Sequence, residues 1–338
     1  MSTFHLPLTA YPDSMTAPAP TSENATERTP FRVLICDEMN PGNLDHEGFQ
    51  IDYQGNMDRA ETLRRLPEYD ALITRSRTRV DRELIDAAGP RLKVIGRGGV
   101  GVDNIDLEYA SLRGLLILNA PESNNVSAAE LAVMHLMAAA RGLARSDSKT
   151  RAGEWDRKFL GLELTDKTLG IVGLGTIGKK VARIAKAFGM RVQYYDIARL
   201  PEHEEDALGV RFRLLNELLA SSDYVSMHVP LNDSTHHMIG ANELALMKPT
   251  AVIVNTSRGP VIDEVALTKT LADNKIFGAG LDVFEDEPRV PAELIAIEHA
   301  VLLPHVGSAT FEGRDATGAR VIANIRTWAD GHRPPDQV

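Results

Sequence analysis

The chain has 338 residues, 43% of them hydrophobic and 25% charged, and its 37 Lys and Arg against 47 Asp and Glu give a formal charge of −10. Such a mix builds a soluble core of ordinary size and has room for two domains. The acidic balance argues against nucleic acid as the main ligand, which needs a broad surplus of Lys and Arg, and a single cysteine excludes an intrachain disulfide or a zinc site built on thiolates.

Residues 1–30 are rich in Pro, Thr and Ser, with neither a basic start nor an apolar stretch, so they do not form an ordinary secretory signal. Asp13, Glu23 and Glu27 beside one Arg make a poor transit peptide, and the segment is predicted to be a disordered tail. No apolar run approaches the length of a membrane span. With the lone thiol of Cys36, this points to a reducing, cytoplasmic setting.

From Phe31 the apolar runs FRVLIC, DALIT, LKVIG and LLIL alternate with amphipathic stretches such as DRELIDAAG. This is the pattern of β-α units around a parallel sheet covered on both faces. Cys36 lies inside the first run and reads as core. A long helix, SAAELAVMHLMAAARGLA, follows, with Ser127 as its expected N-cap and Glu130 completing a capping box. It is apolar around most of its circumference, so it needs cover from its own domain and from a second subunit; His135 within it reads as core or interface. A second β-α series then runs through TLGIVGLGTIG, RVQYYD, DYVSMHV, AVIVNTSRG, FGAGLDVF and AVLLPH, and a final helix lies in RDATGARVIANIRTWADG. The expected architecture is α/β with two doubly wound parallel-sheet domains. A flavodoxin-like substrate domain takes residues 31–120 and 305–338, and a Rossmann domain takes residues 121–304.

The pattern G-x-G-x-x-G occurs twice, at Gly96, Gly98 and Gly101 and at Gly173, Gly175 and Gly178. After Gly178 the chain enters KKVARIAKAFG directly, a helix whose N-terminus suits a pyrophosphate. Asp196 then closes the next strand, where a carboxylate accepts hydrogen bonds from a ribose diol. After Gly101 the helix starts only near Asp106, and no acid closes the following strand. The cofactor is therefore assigned to the second run. Asp196 would repel a ribose 2′-phosphate and favours NAD over NADP, with Arg199 as a nearby opposing charge.

Hydride chemistry on a hydroxy acid needs a base for the hydroxyl proton, a carboxylate to orient it, and a fixed cation for the substrate anion. His305, Glu287 and Arg258 supply these at predicted strand ends of the second half, where open α/β sheets bind ligands. A carboxylate beside an imidazole fixes its tautomer and stabilises its protonated form. His236 and His237 fall in a polar turn, His228 ends a strand and borders the cofactor region without assigned chemistry, and no cluster has metal-ligand spacing.

The motifs GRGGVGVDNIDL, NAPESNNVSAAELA, GEWDRKFLGLEL, KTLGIVGLGTIG, NTSRGPVIDE, GLDVFEDEP and LPHVGSAT come in the order of the D-isomer-specific 2-hydroxyacid dehydrogenases, from Phe31 to about Gly331. The chain resembles that family, most of all its 3-phosphoglycerate dehydrogenase branch. The resemblance implies catalytic Arg258, Glu287 and His305, and cofactor contacts at Thr176, Ile177, Asp196, Thr256 and Asp282. It further implies that Arg75, Arg97 and Arg157 grip substrate carboxylate and phosphate, Arg157 reaching a neighbouring subunit of a homodimer or higher oligomer. The implied reaction is oxidation of 3-phospho-D-glycerate to 3-phosphooxypyruvate, the first step of serine biosynthesis. A hydroxypyruvate, glyoxylate or D-lactate type enzyme is the alternative within the family, and an NADH-sensing co-repressor scaffold the alternative outside catalysis. The sequence stops soon after the last helix; if the chain is complete, feedback control through a C-terminal regulatory module is not expected, the alternative being a truncated form.

Overall fold

The structure, a computed structural model, describes residues 30–39 and 48–338. The tail predicted for residues 1–30 therefore lies outside the described residues, Pro30 excepted. The chain divides into two compact units, Met1–Pro121 with Asp315–Val338 as unit 1 and Glu122–Arg314 as unit 2. The second crossing comes later than the predicted 304/305 boundary. The reason is local: the loop after His305 is fastened within unit 2, by hydrogen bonds to Asp282 and by a 2.8 Å contact between the Ser127 and Thr310 hydroxyls.

In unit 1 the apolar runs become β1 (Phe31–Ile35), β3 (Ala71–Thr74), β4 (Val94–Arg97) and β5 (Leu116–Leu118). An edge strand, β2 (Phe49–Tyr53), completes a parallel sheet in the order β2-β1-β3-β4-β5. This is the flavodoxin-like order, with its switch point between β1 and β3. Helices α1 (Arg59–Arg65), α2 (Arg82–Ala87) and α3 (Leu107–Leu112) start on the aspartates Asp58, Asp81 and Asp106, each accepting an N3 backbone N–H. One sheet face packs Leu34, Leu72 and Ile95 with Leu84 and Ile85, and the other packs Val33, Ile35 and Ile73 against Val321, Ile322 and Ile325 of the final helix.

Unit 2 opens with α4 (Asn125–Ala140) and α5 (Leu143–Arg151). The apolar pattern reads as one helix, but Gly142 turns left-handed at φ 55° and the two helices meet at 64°. The predicted capping box does not form. Asn124 holds the N-cap position, so Ser127 falls inside the first turn, where its hydroxyl is taken by Thr310. The sheet that follows comprises β6 (Thr168–Val172), β7 (Arg191–Tyr195), β8 (Val210–Phe212), β9 (Tyr224–Met227), β10 (Val252–Asn255), β11 (Gly278–Leu281) and β12 (Ala300–Leu302). All pairs are parallel, in the order β12-β11-β10-β9-β6-β7-β8. Strands wind outward in both directions from β6 and β9, as in Rossmann sheets. Helices α6 (Thr176–Ala187), α7 (Glu202–Leu208), α8 (Leu215–Ser221), α9 (Ala241–Leu246), α10 (Glu264–Ala272) and α11 (Ala292–Ile295) connect them, and α12 (Phe311–Ala329) carries the chain back to unit 1. His135 is wholly buried in α4, as expected of a core residue, and burial pushes its imidazole down to about 4. Among the described residues no single helix is long and apolar enough to cross a membrane.

Candidate active site

At the switch point of unit 2, β6 runs into Gly173, Gly175 and Gly178, and three different demands exclude side chains there. Gly173 sits at φ +93°, and a Cβ on it would lie 2.6 Å from the His228 carbonyl oxygen. On Gly178 a Cβ would lie 2.3 Å from the carbonyl oxygen of Gly173, so only glycine lets α6 close on the turn. A Cβ on Gly175 would meet nothing within 4 Å, which leaves open space beside the first turn of α6. Thr176 and Ile177 supply that turn, whose leading amides have no carbonyl of their own helix to bond.

Asp196, just past β7, accepts the Leu174 amide at 2.7 Å and the Ala198 amide at 3.0 Å, bracing the glycine turn. Thr256, past β10, has its hydroxyl oxygen buried with no hydrogen-bond partner. An open pocket at Gly175, a helix N-terminus, a ribose-side acid and an orphaned hydroxyl together fit a dinucleotide. His228 borders this turn with Nε2 2.8 Å from the Ser226 hydroxyl, and burial pushes it down to about 4, so it is neutral.

Arg258, Glu287 and His305 leave the carboxyl ends of β10, β11 and β12 within unit 2. His305 Nδ1 lies 2.7 Å from Glu287 Oε2, and the other oxygen of Glu287 accepts the Phe284 amide at 3.2 Å. Burial works to raise the Glu287 carboxyl, but the hydrogen bond and charge of His305, the Phe284 amide and the charge of Arg258 outweigh it and hold it below the usual range. Glu287 is therefore an anion facing the ring. Asn255 fixes the Arg258 loop, donating to the Arg258 carbonyl at 2.8 Å and accepting from the Ser257 amide at 3.0 Å. Gly259 packs so closely on the Phe284 carbonyl that a Cβ would lie 2.0 Å away, which presses the arginine loop onto the glutamate loop.

His305 itself takes φ +54°, a left-handed conformation that side chains disfavour. Asp282 holds it there. Its backbone carbonyl accepts the His305 amide, and its carboxylate accepts the amides of Val306 and Gly307, each at 2.8 Å. Burial raises the Asp282 carboxyl above its ordinary value despite these donors. The residue expected to touch the cofactor thus also anchors the histidine loop.

In unit 1, Arg75 follows β3 and Arg97 ends β4, with Thr74 paired to Arg97 across the two strands. Gly98 packs on the Arg75 side chain, a Cβ there meeting Cγ at 3.1 Å, so the two arginines stem from neighbouring strand ends. Beneath them lies a residue that the sequence reading passed over. Asp37, 2% exposed, accepts from the Arg75 amide at 2.6 Å, the Thr74 hydroxyl at 2.9 Å, and the Thr78 hydroxyl and amide at 2.7 and 3.2 Å. Asn104 clamps the same loop, donating to the carbonyls of Arg75 and Thr78 at 2.8 and 2.7 Å. An acid right after a buried strand was the available signal. Arg157 stands exposed in unit 2, on the irregular segment between α5 and β6.

A Rossmann sheet with a fitted glycine turn and a carboxylate-held histidine defines a dinucleotide-dependent dehydrogenase. Residues 133–307 match the family model "D-isomer specific 2-hydroxyacid dehydrogenase, NAD binding domain". The chain is 44% identical over 320 residues to a glyoxylate reductase of Thermococcus gammatolerans, covering 91% of this chain and 95% of that protein. It is 40% identical over 299 residues to a D-3-phosphoglycerate dehydrogenase of Methanocaldococcus jannaschii, covering 87% of this chain but 57% of that one. Among solved structures, an NADPH-dependent glyoxylate/hydroxypyruvate reductase from Sinorhizobium meliloti, in complex with NADP and malonate, superposes with a TM-score of 0.80. It is 30% identical and covers 92% of this chain and 97% of its own. The chain belongs to the D-isomer-specific 2-hydroxyacid dehydrogenases and is NAD-dependent.

Proposed function

We propose that the protein interconverts 3-phospho-D-glycerate and its 2-oxo acid, 3-phosphooxypyruvate, in serine biosynthesis. The observation that carries this reading is the pair of arginines, Arg75 and Arg97, at adjacent strand ends of unit 1. Two neighbouring guanidinium groups suit a phosphate dianion better than a lone carboxylate. The glycine turn of Gly173, Gly175 and Gly178 with Asp196 would hold NAD, which would supply the acceptor for the hydride of C2. Arg258 binds and orients the substrate anion, and His305 takes the hydroxyl proton on Nε2 because Nδ1 is engaged by Glu287. Glu287 acts as the positioning residue that stabilises the charged ring.

A second reading, reduction of glyoxylate or hydroxypyruvate, rests on the relatives themselves: the 44% identical protein named for glyoxylate is matched along nearly its whole length. Both readings share the same base, so substrate kinetics separate them. Turnover should be greatest with 3-phosphoglycerate, and Arg75→Ala should raise its KM about tenfold or more while changing that for glyoxylate far less. Equal effects on both, or a clear preference for glyoxylate, would give the assignment to the second reading. His305→Ala should lose about 10²–10⁴-fold in kcat with NADH binding retained. Tight NADH binding by the parent, without turnover of any 2-hydroxy acid, would point to a nucleotide-sensing scaffold instead.

We further propose a homodimer through unit 2. Met134, Met137, Leu143 and Phe188 leave an exposed apolar groove along α4 and α6, and Trp155 and Leu160, each 83% exposed on the segment that carries Arg157, are apolar groups of the kind a second copy would insert there. Sedimentation of the full chain as a monomer would refute it.

A further inference from the structure

The two nicotinamide dinucleotides differ by one phosphate on the adenosine ribose, and a solved relative with this fold is named NADPH-dependent. The fold alone therefore leaves the choice to the residues after β7. In this chain those residues carry opposite charges. Asp196 repels a 2′-phosphate, and Arg199, three residues on, would attract one.

The structure separates the two. Asp196 is fixed to the glycine turn through the Leu174 amide. Arg199 is drawn to α7 instead, its Nε donating to Glu205 Oε1 at 2.9 Å and its Nη2 to Oε2 at 3.5 Å. Glu205 is only 2% exposed, unusual for a carboxylate paired with a surface arginine. Its place is set by a second donor, the Tyr194 hydroxyl at 2.9 Å, and the Tyr194 oxygen in turn accepts the Leu200 amide at 2.9 Å. Phe212 lies under the Arg199 guanidinium, 5.4 Å from ring centroid to the central carbon. A pair that served surface stability alone would need neither a buried acid nor a tyrosine to seat it.

We propose that Glu205, seated by Tyr194, is a specificity-determining residue for the cofactor: it holds Arg199 on α7 so that Asp196 excludes the 2′-phosphate unopposed. Glu205 acts through Arg199 and is a positioning residue.

The test uses binding to the full chain, by calorimetry, of adenosine 5′-monophosphate and adenosine 2′,5′-bisphosphate, which differ only in the 2′-phosphate, with NADH and NADPH fluorescence titrations alongside. The parent should prefer the monophosphate. Glu205→Gln keeps the side-chain shape and should narrow that preference at least about threefold, the scale of one exposed charge contact. In the Arg199→Ala background the same substitution should change the ratio by less than about 1.5-fold, because the effect runs through the guanidinium. Arg199→Ala alone should leave the parent ratio within about twofold. An unchanged ratio in Glu205→Gln overturns the proposal. So does an equal Glu205 effect without Arg199, which would mean that only a nearby negative charge had been removed. If Glu205→Gln does not fold, Arg199→Ala still decides: loss of bisphosphate binding there would show that Arg199 already serves the phosphate.

Discussion

Units 1 and 2 carry the same spacing of glycines at the end of a strand and use it for different ends. In unit 2, Gly173 and Gly178 keep backbone clear of backbone, and Gly175 faces open space before a helix that begins at once. In unit 1, Gly96 is a strand residue under the final helix, where a Cβ would meet Val321 Cγ1 at 2.5 Å, and the next helix begins only at Leu107. Gly98 makes room for the Arg75 side chain. The motif marks close approach; what approaches is decided by the element that follows.

Each unit also buries an aspartate beneath a loop at its strand ends, and here again the likeness is partial. Asp37 has four donors at 3.2 Å or less, from Thr74, Arg75 and Thr78, whereas the Asp282 carboxylate has two, the amides of Val306 and Gly307. Burial pushes both carboxyls up. For Asp37 the hydrogen bonds from Thr78, Arg75 and Thr74 more than reverse this and leave it below its ordinary value, while Asp282 stays above.

The sharpest way to break the contrast between the glycine runs is Gly173→Ala, which should cost about 100-fold or more in NADH affinity through strain and backbone collision. Retained affinity would erase the distinction. Next in size, Asp37→Asn turns an acceptor into a donor facing amides. It should raise KM for the anionic substrate about tenfold at nearly constant kcat and lower stability by about 1–3 kcal/mol. A fall in kcat with unchanged KM would show that Asp37 does not act through Arg75. Gly96→Ala should leave NADH affinity alone and lower stability by about 1–3 kcal/mol, read by denaturant unfolding.

The smallest effect separates the two aspartates by pH. A carboxyl held below its unfolded value stabilises the fold above that value, and this is lost as pH falls through the folded value. One held above is penalised when ionised, and acidification through its folded value relieves the penalty. Melting temperature should therefore fall less steeply with acid in Asp37→Asn than in the parent, and more steeply in Asp282→Asn. The opposite order would reverse the assigned shifts.

Much of this molecule is legible in its sequence because the informative residues are neighbours in the chain. Central strands such as VIVN and ALIT are nearly continuous apolar runs, and Arg258, Glu287 and His305 each sit in a short motif at a strand end. The strands FQIDY and VRF escape the reading, since both are half solvated and neither carries such a run, unlike the edge strands β5 and β12. Ser127 misleads because its partner, Thr310, lies 183 residues away. Asp37 is hard to read for the same reason: an acid right after a buried strand is the one local hint in CDEM, and its contact with Arg75 spans 38 residues.

The left-handed backbone at His305 sets thermal robustness against reactivity. Glycine or asparagine would occupy φ +54° at less cost, so selection for a sturdier fold alone would remove the imidazole. In the proposed mechanism its presence means the resting protein carries the tension of its chemistry permanently, restrained by Asp282 in the loop of the adjacent strand β11, and variants bred only for heat tolerance should be expected to drift away from histidine at this position first.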